Sequence, residues 1–279
     1  IPLKDGFNLS VKAAKQNFIW NDIFYNENNN VDNFTYKDTS KLKLKSKKLS
    51  RHKLSKNFLF KNNIIILSDN KGNLIFFSID DKKIIKKINF YKKKYRKIDK
   101  ILNIILDEDN LFVSDNIGYV YAYDLKAGKF LWAKNNKIPF RSNLKISKNK
   151  LLVADQNNNF YFFEKRSGKL LKLIPTEETS VNNLFVNNLS KNNDKVFFLN
   201  TYGSLYSISI NEMKLNWFVN LNQSLDLNNN NLFFGGKIIS YRNKIIVSSN
   251  EFTYVINSTN GTVEFKKKFS FITKPIIIN

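Results

Sequence analysis

One short pattern returns along this chain and limits what the chain can fold into. It is clearest between Asp115 and Trp132, where an aromatic and β-branched run, a turn ending in Gly128 and a second apolar run follow one another. Aromatic and β-branched residues favour strands, and Asp124 together with Gly128 favours a tight reversal of the chain. The stretch therefore predicts a β-hairpin whose second strand ends in a large ring.

Copies of this hairpin recur at a spacing that few folds share. Two more short strands are predicted ahead of it, at 101–106 and 111–114, so one copy has four strands. A unit of four strands that repeats about every 40 to 50 residues is typical of β-propellers. In a helical solenoid, apolar residues would recur about every 3.6 residues. The anchor residues of the five copies, which are 46, 40, 45 and 48 residues apart, are Gly72, Gly118, Asn158, Gly203 and Glu251.

The predicted fold class is therefore all-β, a β-propeller of four-stranded antiparallel blades. The five full copies lie within residues 58–279, and residues 1–57 are predicted to form strands and loops of an incomplete blade. The chain begins at Ile1 without Met, and its last residues, Lys274-Pro-Ile-Ile-Ile-Asn279, have the pattern of the first strand of another blade. We expect a truncated ring of about six to eight blades, with any signal peptide or lipid-bearing Cys upstream.

A blade of this size is too thin to bury its own faces, so neighbouring blades must supply the core. Fourteen residues after each anchor comes a position that is aromatic in three of the five copies, at Trp132, Trp217 and Phe265, with Lys86 and Lys172 in the other two. A large ring at the end of a strand can fill the space between two blades. We predict that Trp132 and Trp217 are structural anchors at equivalent places in their blades.

The residues of the repeat resemble those of the pyrroloquinoline-quinone-type (PQQ-like) propeller family. The stretch Y-V-Y-A-Y-D-L-K-A-G-K-F-L-W at 119–132 follows the usual form of that repeat, and further matches begin at Gly203 and Asn257. Among members without a cofactor, the order of the blades and the loop Ile138–Ser142 resemble the BamB-type lipoproteins of outer-membrane β-barrel assembly. The resemblance covers roughly residues 58–279.

This resemblance implies a non-catalytic scaffold in the periplasm, associated with the outer membrane and without a cofactor. Its partners would be the barrel-forming assembly subunit (BamA-like) and other members of the assembly complex. Corresponding inter-blade loops of such proteins face the periplasmic domains of that subunit, which predicts partner-binding residues at Phe140, Arg141, Leu225 and Asp226. Phe140 beside Arg141 combines an apolar anchor with a planar cation, a pairing that interfaces favour.

The formal charge of +23 invites a nucleic-acid hypothesis, but the composition argues against it. Only five of the 46 cationic residues are Arg, and the excess of Lys accompanies Asn runs and abundant Ile, which together are typical of an AT-rich genome. The densest cationic run, Lys92 to Lys97, has Tyr91 and Tyr95 interleaved and is only a weak nucleic-acid signal. An anionic membrane surface is a possible partner that any such excess of charge would attract.

Residues that carry chemistry are scarce. His52 is the only histidine and there is no Cys, so His-based triads, His-based metal sites, disulfides and thiolate sites lack material. The cluster Asp107-Glu-Asp109 lacks the glycine and regularly spaced oxygens of a Ca²⁺ loop, which favours a solvated turn. No apolar run reaches the roughly 18 residues of a membrane span. We predict that the chain is not an enzyme.

A second function class shares this repeat, namely the PQQ-dependent quinoprotein dehydrogenases. They need a central cofactor pocket with a set of Ca²⁺ ligands, and they often place a vicinal Cys pair over the quinone. This chain has no Cys, and no repeat position offers an obvious cluster of Asp, Asn and Glu. The sequence therefore favours a scaffold, with a quinoprotein-like protein or another propeller binding module as the alternatives.

Overall fold

The computed structural model describes residues 13–14, 19–31, 33, 42, 44–177, 186–222, 233–249, 251–271 and 273–277. Regular structure in this part of the chain is β-strand, apart from one 3₁₀ turn at Lys93–Tyr95. The strands form five antiparallel sheets, and in each sheet strands that are consecutive in sequence are neighbours. The predicted fold class, an all-β propeller of antiparallel blades, is confirmed.

Each sheet is one blade, and the innermost strand is the first of its four consecutive strands; blade 1 has a further two-residue strand that pairs with the innermost one. Blade 1 consists of β1 (Ile19–Trp20), β2 (Leu54–Lys61), β3 (Ile64–Asp69), β4 (Asn73–Ser78) and β5 (Lys83–Asn89). Blade 2 consists of β6 (Leu102–Asp107), β7 (Asn110–Asp115), β8 (Tyr119–Asp124) and β9 (Lys129–Asn135). Blade 3 consists of β10 (Lys145–Ser147), β11 (Lys150–Ala154), β12 (Phe160–Glu164) and β13 (Leu170–Ile174). Blade 4 consists of β14 (Asn188–Asn192), β15 (Lys195–Leu199), β16 (Ser204–Ser209) and β17 (Lys214–Asn220). Blade 5 consists of β18 (Ile239–Tyr241), β19 (Lys244–Ser248), β20 (Phe252–Asn257) and β21 (Val263–Lys268).

The repeat in sequence is matched by a repeat in strand pairing. In every blade the pairing of the last two strands shifts register at the same point, and the turn that joins these two strands has one residue with positive φ. The pair just before each shift contains the residue that the sequence aligned as the closing position. These pairs are Phe76–Lys86, Ala122–Trp132, Phe162–Lys172, Ser207–Trp217 and Val255–Phe265.

The anchor residues lie in the turn between the second and third of the four consecutive strands of each blade. In blade 2, Asp115 Oδ1 accepts hydrogen bonds from the backbone N–H groups of Ile117 and Tyr119 at 2.9 and 2.8 Å. Gly118 then has φ +99°, and a Cβ there would lie 2.9 Å from the carbonyl oxygen of Ile138. Only glycine meets both conditions without strain. The same pair of side-chain bonds is made in blades 1, 3 and 4 by Asp69, Asp155 and Asn200.

The hydrophobic core lies between the blades. Four separate clusters of buried side chains join blade 1 to 2, 2 to 3, 3 to 4 and 4 to 5. Between blades 3 and 4, for example, Phe160 and Phe198 are fully buried with ring centroids 5.7 Å apart. No comparable cluster joins blade 5 to blade 1 in the described part of the chain. Each blade is therefore stabilised by its sequence neighbours.

The two predicted tryptophan anchors are confirmed as equivalent. The Trp132 ring covers Gly168, in the last turn of blade 3, where an added Cβ would lie 2.5 Å from the ring. The Trp217 ring covers Gly261 of blade 5 in the same way, at 2.7 Å. Trp132 Nε1 donates to the carbonyl of Lys165 at 2.9 Å, whereas the buried Nε1 of Trp217 has no hydrogen-bond partner among the described residues. In both cases a tryptophan of one blade packs against the last turn of the next blade.

Residues 19–31 cross the innermost strands of all five blades. The segment pairs with blade 1 through β1, and its carbonyls at Asn21, Glu27 and Asn28 accept hydrogen bonds from blades 2, 4 and 5. The donors are the backbone N–H groups of Leu106, Lys191 and Ser240, at 2.8 to 3.1 Å. We call residues 19–31 the axial segment. The N-terminal unit expected at 1–57 therefore lies partly along the axis, and the boundary expected after residue 57 falls inside β2.

Blade 3 holds the axial segment through a buried ion pair. Lys145 is fully buried, and its Nζ lies 2.6 Å from Asp22 Oδ2, 2.6 Å from Asn29 Oδ1 and 3.0 Å from the carbonyl of Asn26. Burial lowers the pKa of Lys145, and the Asp22 carboxylate opposes that shift. Every hydrogen of the ammonium therefore has an oxygen within reach.

Replacing Trp132 by Ala should lower the free energy of unfolding by about 3–5 kcal/mol, because it opens a cavity between blades 2 and 3. Trp217→Ala should cost less, because that ring is half-buried and its Nε1 makes no hydrogen bond within the described part of the chain. Chemical denaturation of both variants measures the difference. A loss below about 1 kcal/mol for Trp132→Ala would contradict the anchoring role.

Lys145→Met should lower the free energy of unfolding by about 3–5 kcal/mol, because it leaves the Asp22 carboxylate buried without a counter-charge. The double variant Lys145→Met with Asp22→Leu should recover part of that loss. The matched control is Lys71→Met, which removes an exposed pair with Asp99 and should change stability far less. Equal losses in Lys145→Met and Lys71→Met would show that the buried pair with Asp22 contributes no more to stability than an exposed pair.

Candidate partner-binding site

A cavity of about 480 Å³ opens at the end of the axis where the innermost strands begin. Each blade contributes one equivalent residue to the wall of this cavity. In every blade this residue lies five positions before the residue with positive φ that directly follows the innermost strand. These wall residues are Asn57, Asn103, Asn143, Asn188 and Lys237. We call this space the axial cavity. Four of its five equivalent positions are asparagine, so its wall is rich in amide groups.

The rim of the cavity comes from positions two residues earlier in the chain. Ile101, Arg141 and Val186 occupy this position in blades 2, 3 and 4. Ile101 is 66% exposed and Val186 is 45% exposed, so apolar surface flanks the guanidinium. The backbone N–H of Arg141 donates to the carbonyl of Ala154 at 3.1 Å, which fixes the loop on blade 3.

The axial cavity is cationic. Arg141 and Lys237 line it, and no carboxylate does so among the described residues. Lys237 Nζ lies 4.5 Å from the centroid of the Phe24 ring, and burial lowers the pKa of its ammonium. In the described part of the chain the Arg141 guanidinium has no acidic partner. The site therefore favours ligands that bring negative charge and hydrogen-bond acceptors.

The amides of the wall also join the blades. Asn143 Nδ2 donates to the carbonyl of Leu189 at 2.9 Å, and its Oδ1 accepts from the Leu189 N–H at 2.8 Å. Asn187, which also lines the cavity, donates through Nδ2 to the carbonyl of Asp155 at 2.7 Å, while its buried Oδ1 accepts no hydrogen bond from the described residues. These bonds make the wall rigid. A bound partner would meet a preformed surface, which lowers the entropic cost of binding.

The predicted partner-binding residues differ in where they lie relative to the axial cavity. Arg141 lies on the rim, as a partner-binding residue requires. Phe140 also lines the cavity, but its ring is 1% exposed and packs edge-on against Tyr161 and Phe163, with centroids 5.6 and 6.4 Å away. Phe140 therefore holds the loop from inside, and the apolar surface near Arg141 comes from the rim instead. Leu225 and Asp226 lie outside the described residues.

Sequence reasoning missed the ring of asparagines. The Asn-rich composition is typical of an AT-rich genome, so no single Asn stands out in the sequence. The repeat itself carried the signal, because counting back from the turn after each innermost strand gives Asn in blades 1 to 4 and Lys in blade 5. The contribution of the axial segment, through Ile23 and Phe24, had no such signal.

The described residues contain no group of three or more His, Cys, Asp or Glu side chains placed to hold a metal ion. The carboxylates of the hairpin tip at 107–109 are drawn apart, Asp109 to Lys61 at 3.1 Å and Asp107 to Lys165. The cavity offers amides and cations rather than the carboxylate ligands that Ca²⁺ prefers. The described residues therefore do not fit a quinone held by Ca²⁺. Within this same part of the chain, no helix has the length and apolar character to cross a membrane.

Comparison with protein families places the chain. The PQQ_2 family model, described as outer membrane protein assembly factor BamB, matches residues 97–278. The chain belongs to this family. The match covers blades 2 to 5, and blade 1 repeats their register. A search of curated protein sequences finds no match to this chain.

Solved structures share the fold at low sequence identity. BamB from Moraxella catarrhalis is 14% identical with a TM-score of 0.62, and the alignment covers 76% of this chain and 64% of that one. A europium-containing methanol dehydrogenase is 13% identical with a TM-score of 0.68, covering 92% and 59%. Sqt1 from Saccharomyces cerevisiae is 11% identical with a TM-score of 0.58, covering 73% and 58%. The chain spans less than two thirds of each of these structures, and the likeness concerns the fold alone.

Proposed function

We propose that this BamB-family propeller is a non-catalytic scaffold that assists the assembly and insertion of β-barrel proteins into the outer membrane. Its partners are a barrel-forming assembly subunit (BamA-like) and other members of the assembly complex. It works at the periplasmic side of the outer membrane, as family membership suggests. The observation that carries the proposal is Arg141, a cation without an acidic partner in the described part of the chain, on the rim of the axial cavity.

The surroundings of Arg141 have the composition of a protein interface. Arginine is enriched among the residues that dominate binding energy, particularly where apolar surface excludes water around it. Ile101 and Val186 supply that surface on either side along the rim. An acidic side chain of the partner could form a bidentate pair with the guanidinium, with the wall amides donating further hydrogen bonds. No step of this role requires a reactive group.

Arg141→Glu should weaken binding of the partner by about 2 kcal/mol or more, roughly 30-fold in Kd, because it replaces an attractive charge by a repulsive one. Calorimetric titration with the periplasmic domains of the barrel-forming subunit from the same source measures this. Arg166→Glu is the matched control, since Arg166 is exposed on the outer turn of blade 3. Unchanged affinity in an Arg141→Glu variant of unchanged stability would remove Arg141 from the site.

A quinoprotein role is the second candidate, since a methanol dehydrogenase shares the fold over 92% of this chain. The cavity wall does not support it, because amides and cations replace the carboxylates that would bind Ca²⁺. After incubation with PQQ and Ca²⁺ followed by gel filtration, we expect no quinone absorbance in the protein fraction. Retained absorbance in equimolar amount would favour the dehydrogenase class instead.

A further inference from the structure

The connection between blades 1 and 2, residues 90–101, carries a concentration of charge that the proposed scaffold does not use. We call it the basic connection. Five exposed cations stand within six positions, at Lys92, Lys93, Lys94, Arg96 and Lys97. Two exposed aliphatic residues follow, Ile98 at 46% and Ile101 at 66% exposure. Cations and bare aliphatic side chains therefore share one short stretch of surface.

The basic connection is built into the fold. Tyr91 donates its hydroxyl hydrogen to the buried carboxylate of Asp115 at 2.6 Å. The 3₁₀ turn at Lys93–Tyr95 brings the Tyr95 hydroxyl to 3.1 Å from that of Tyr119, in blade 2. Lys100, itself buried, donates to the carbonyl of Tyr95. The backbone that carries the cations is thus held at both ends and in the middle.

Within the described part of the chain, acidic side chains do not balance the positive charge of the basic connection. Its one acidic residue, Asp99, pairs with Lys71 at 2.6 Å. The nearby Asp115 is buried and receives the Tyr91 hydroxyl. Among the described residues, none of the five cations between 92 and 97 forms an ion pair. Their charge is available to an anionic surface outside the protein.

Two chemistries could supply that surface, and the aromatic residues decide between them. Single-stranded nucleic acid would need free ring faces for base stacking. Here Tyr119 stacks on Tyr121 at 5.4 Å and 14°, and the Tyr95 ring meets Tyr119 edge-on, so the tyrosines cover one another. The aliphatic Ile98 and the preponderance of Lys instead suit a bilayer surface, where cations meet headgroups and apolar side chains enter the interface.

We propose that the basic connection binds the surface of an anionic phospholipid bilayer, with Lys92 to Lys97 at the headgroup phosphates and Ile98 between the headgroups. Ile101, the last residue of the connection, lies on the rim of the axial cavity. The membrane contact and the rim are therefore on one face of the propeller. A partner anchored in the same membrane would meet the cavity from the membrane side.

Sedimentation with vesicles tests this directly. The protein should bind vesicles of mixed phosphatidylglycerol and phosphatidylcholine, bind phosphatidylcholine alone far more weakly, and be released by salt. A cation near such a surface contributes about fivefold in binding, so the variant Lys92→Gln with Lys93→Gln and Lys94→Gln should bind about 100-fold more weakly. The matched control removes the same charge from an exposed stretch elsewhere, by Lys45→Gln with Lys47→Gln and Lys48→Gln.

The outcomes separate a specific surface from general charge. Equal losses in the two triple variants would overturn the proposal, because net charge alone would then account for binding. So would binding to neutral vesicles at the same strength, or a preference for single-stranded oligonucleotide that vesicles fail to compete away. Ile98→Ser should weaken binding to anionic vesicles by a similar factor at each salt concentration, since the aliphatic contact is not screened. If the first triple variant is unstable in denaturation, Arg96→Gln with Lys97→Gln replaces it and should give about a 25-fold loss.

Discussion

The contact between Lys145 and Asp22 is the constraint on which the centre of this protein depends. A fully buried ammonium is unfavourable unless oxygen atoms surround it, and all of its oxygen ligands come from the axial segment. Asn29 continues the connection, because its Nδ2 donates to the carbonyls of Leu189 in blade 4 and Ile238 in blade 5. The innermost strands therefore share one polar partner, while the outer parts of the blades share apolar clusters.

These two systems stabilise different features. The apolar clusters act between sequence neighbours, and the Trp132 ring over Gly168 shows how one blade sets the position of the next. The axial segment instead joins residues that are more than a hundred positions apart in sequence, such as Asp22 and Lys145. Bringing such distant groups together carries a large loop-closure cost, so these contacts are expected to form after the blades themselves.

The same difference explains what the sequence could predict. Blades were predictable because strand patterning and the Asp115 to Gly118 turn are local features that repeat. The path of the axial segment was not, because its backbone hydrogen bonds leave no pattern in side chains. The burial of Phe140 was unpredictable for a related reason, because its packing against Tyr161 and Phe163 is a contact between parts of the chain that sequence spacing does not show. Arg141, next in the chain, lies on the rim of the cavity.

The two faces of the propeller differ in how far their loops can change in length and composition. The connections between blades and the turns closed by Asp69, Asp115 and Asp155 lie at the same end of the strands, the end with the axial cavity. Those buried carboxylates hold the turns from within, so the connections beside them can change length and composition without disturbing a blade. The basic connection and the Arg141 loop are both of this kind. The Arg141 loop and the basic connection therefore lie on a single face, and the strands that carry them recur in every blade.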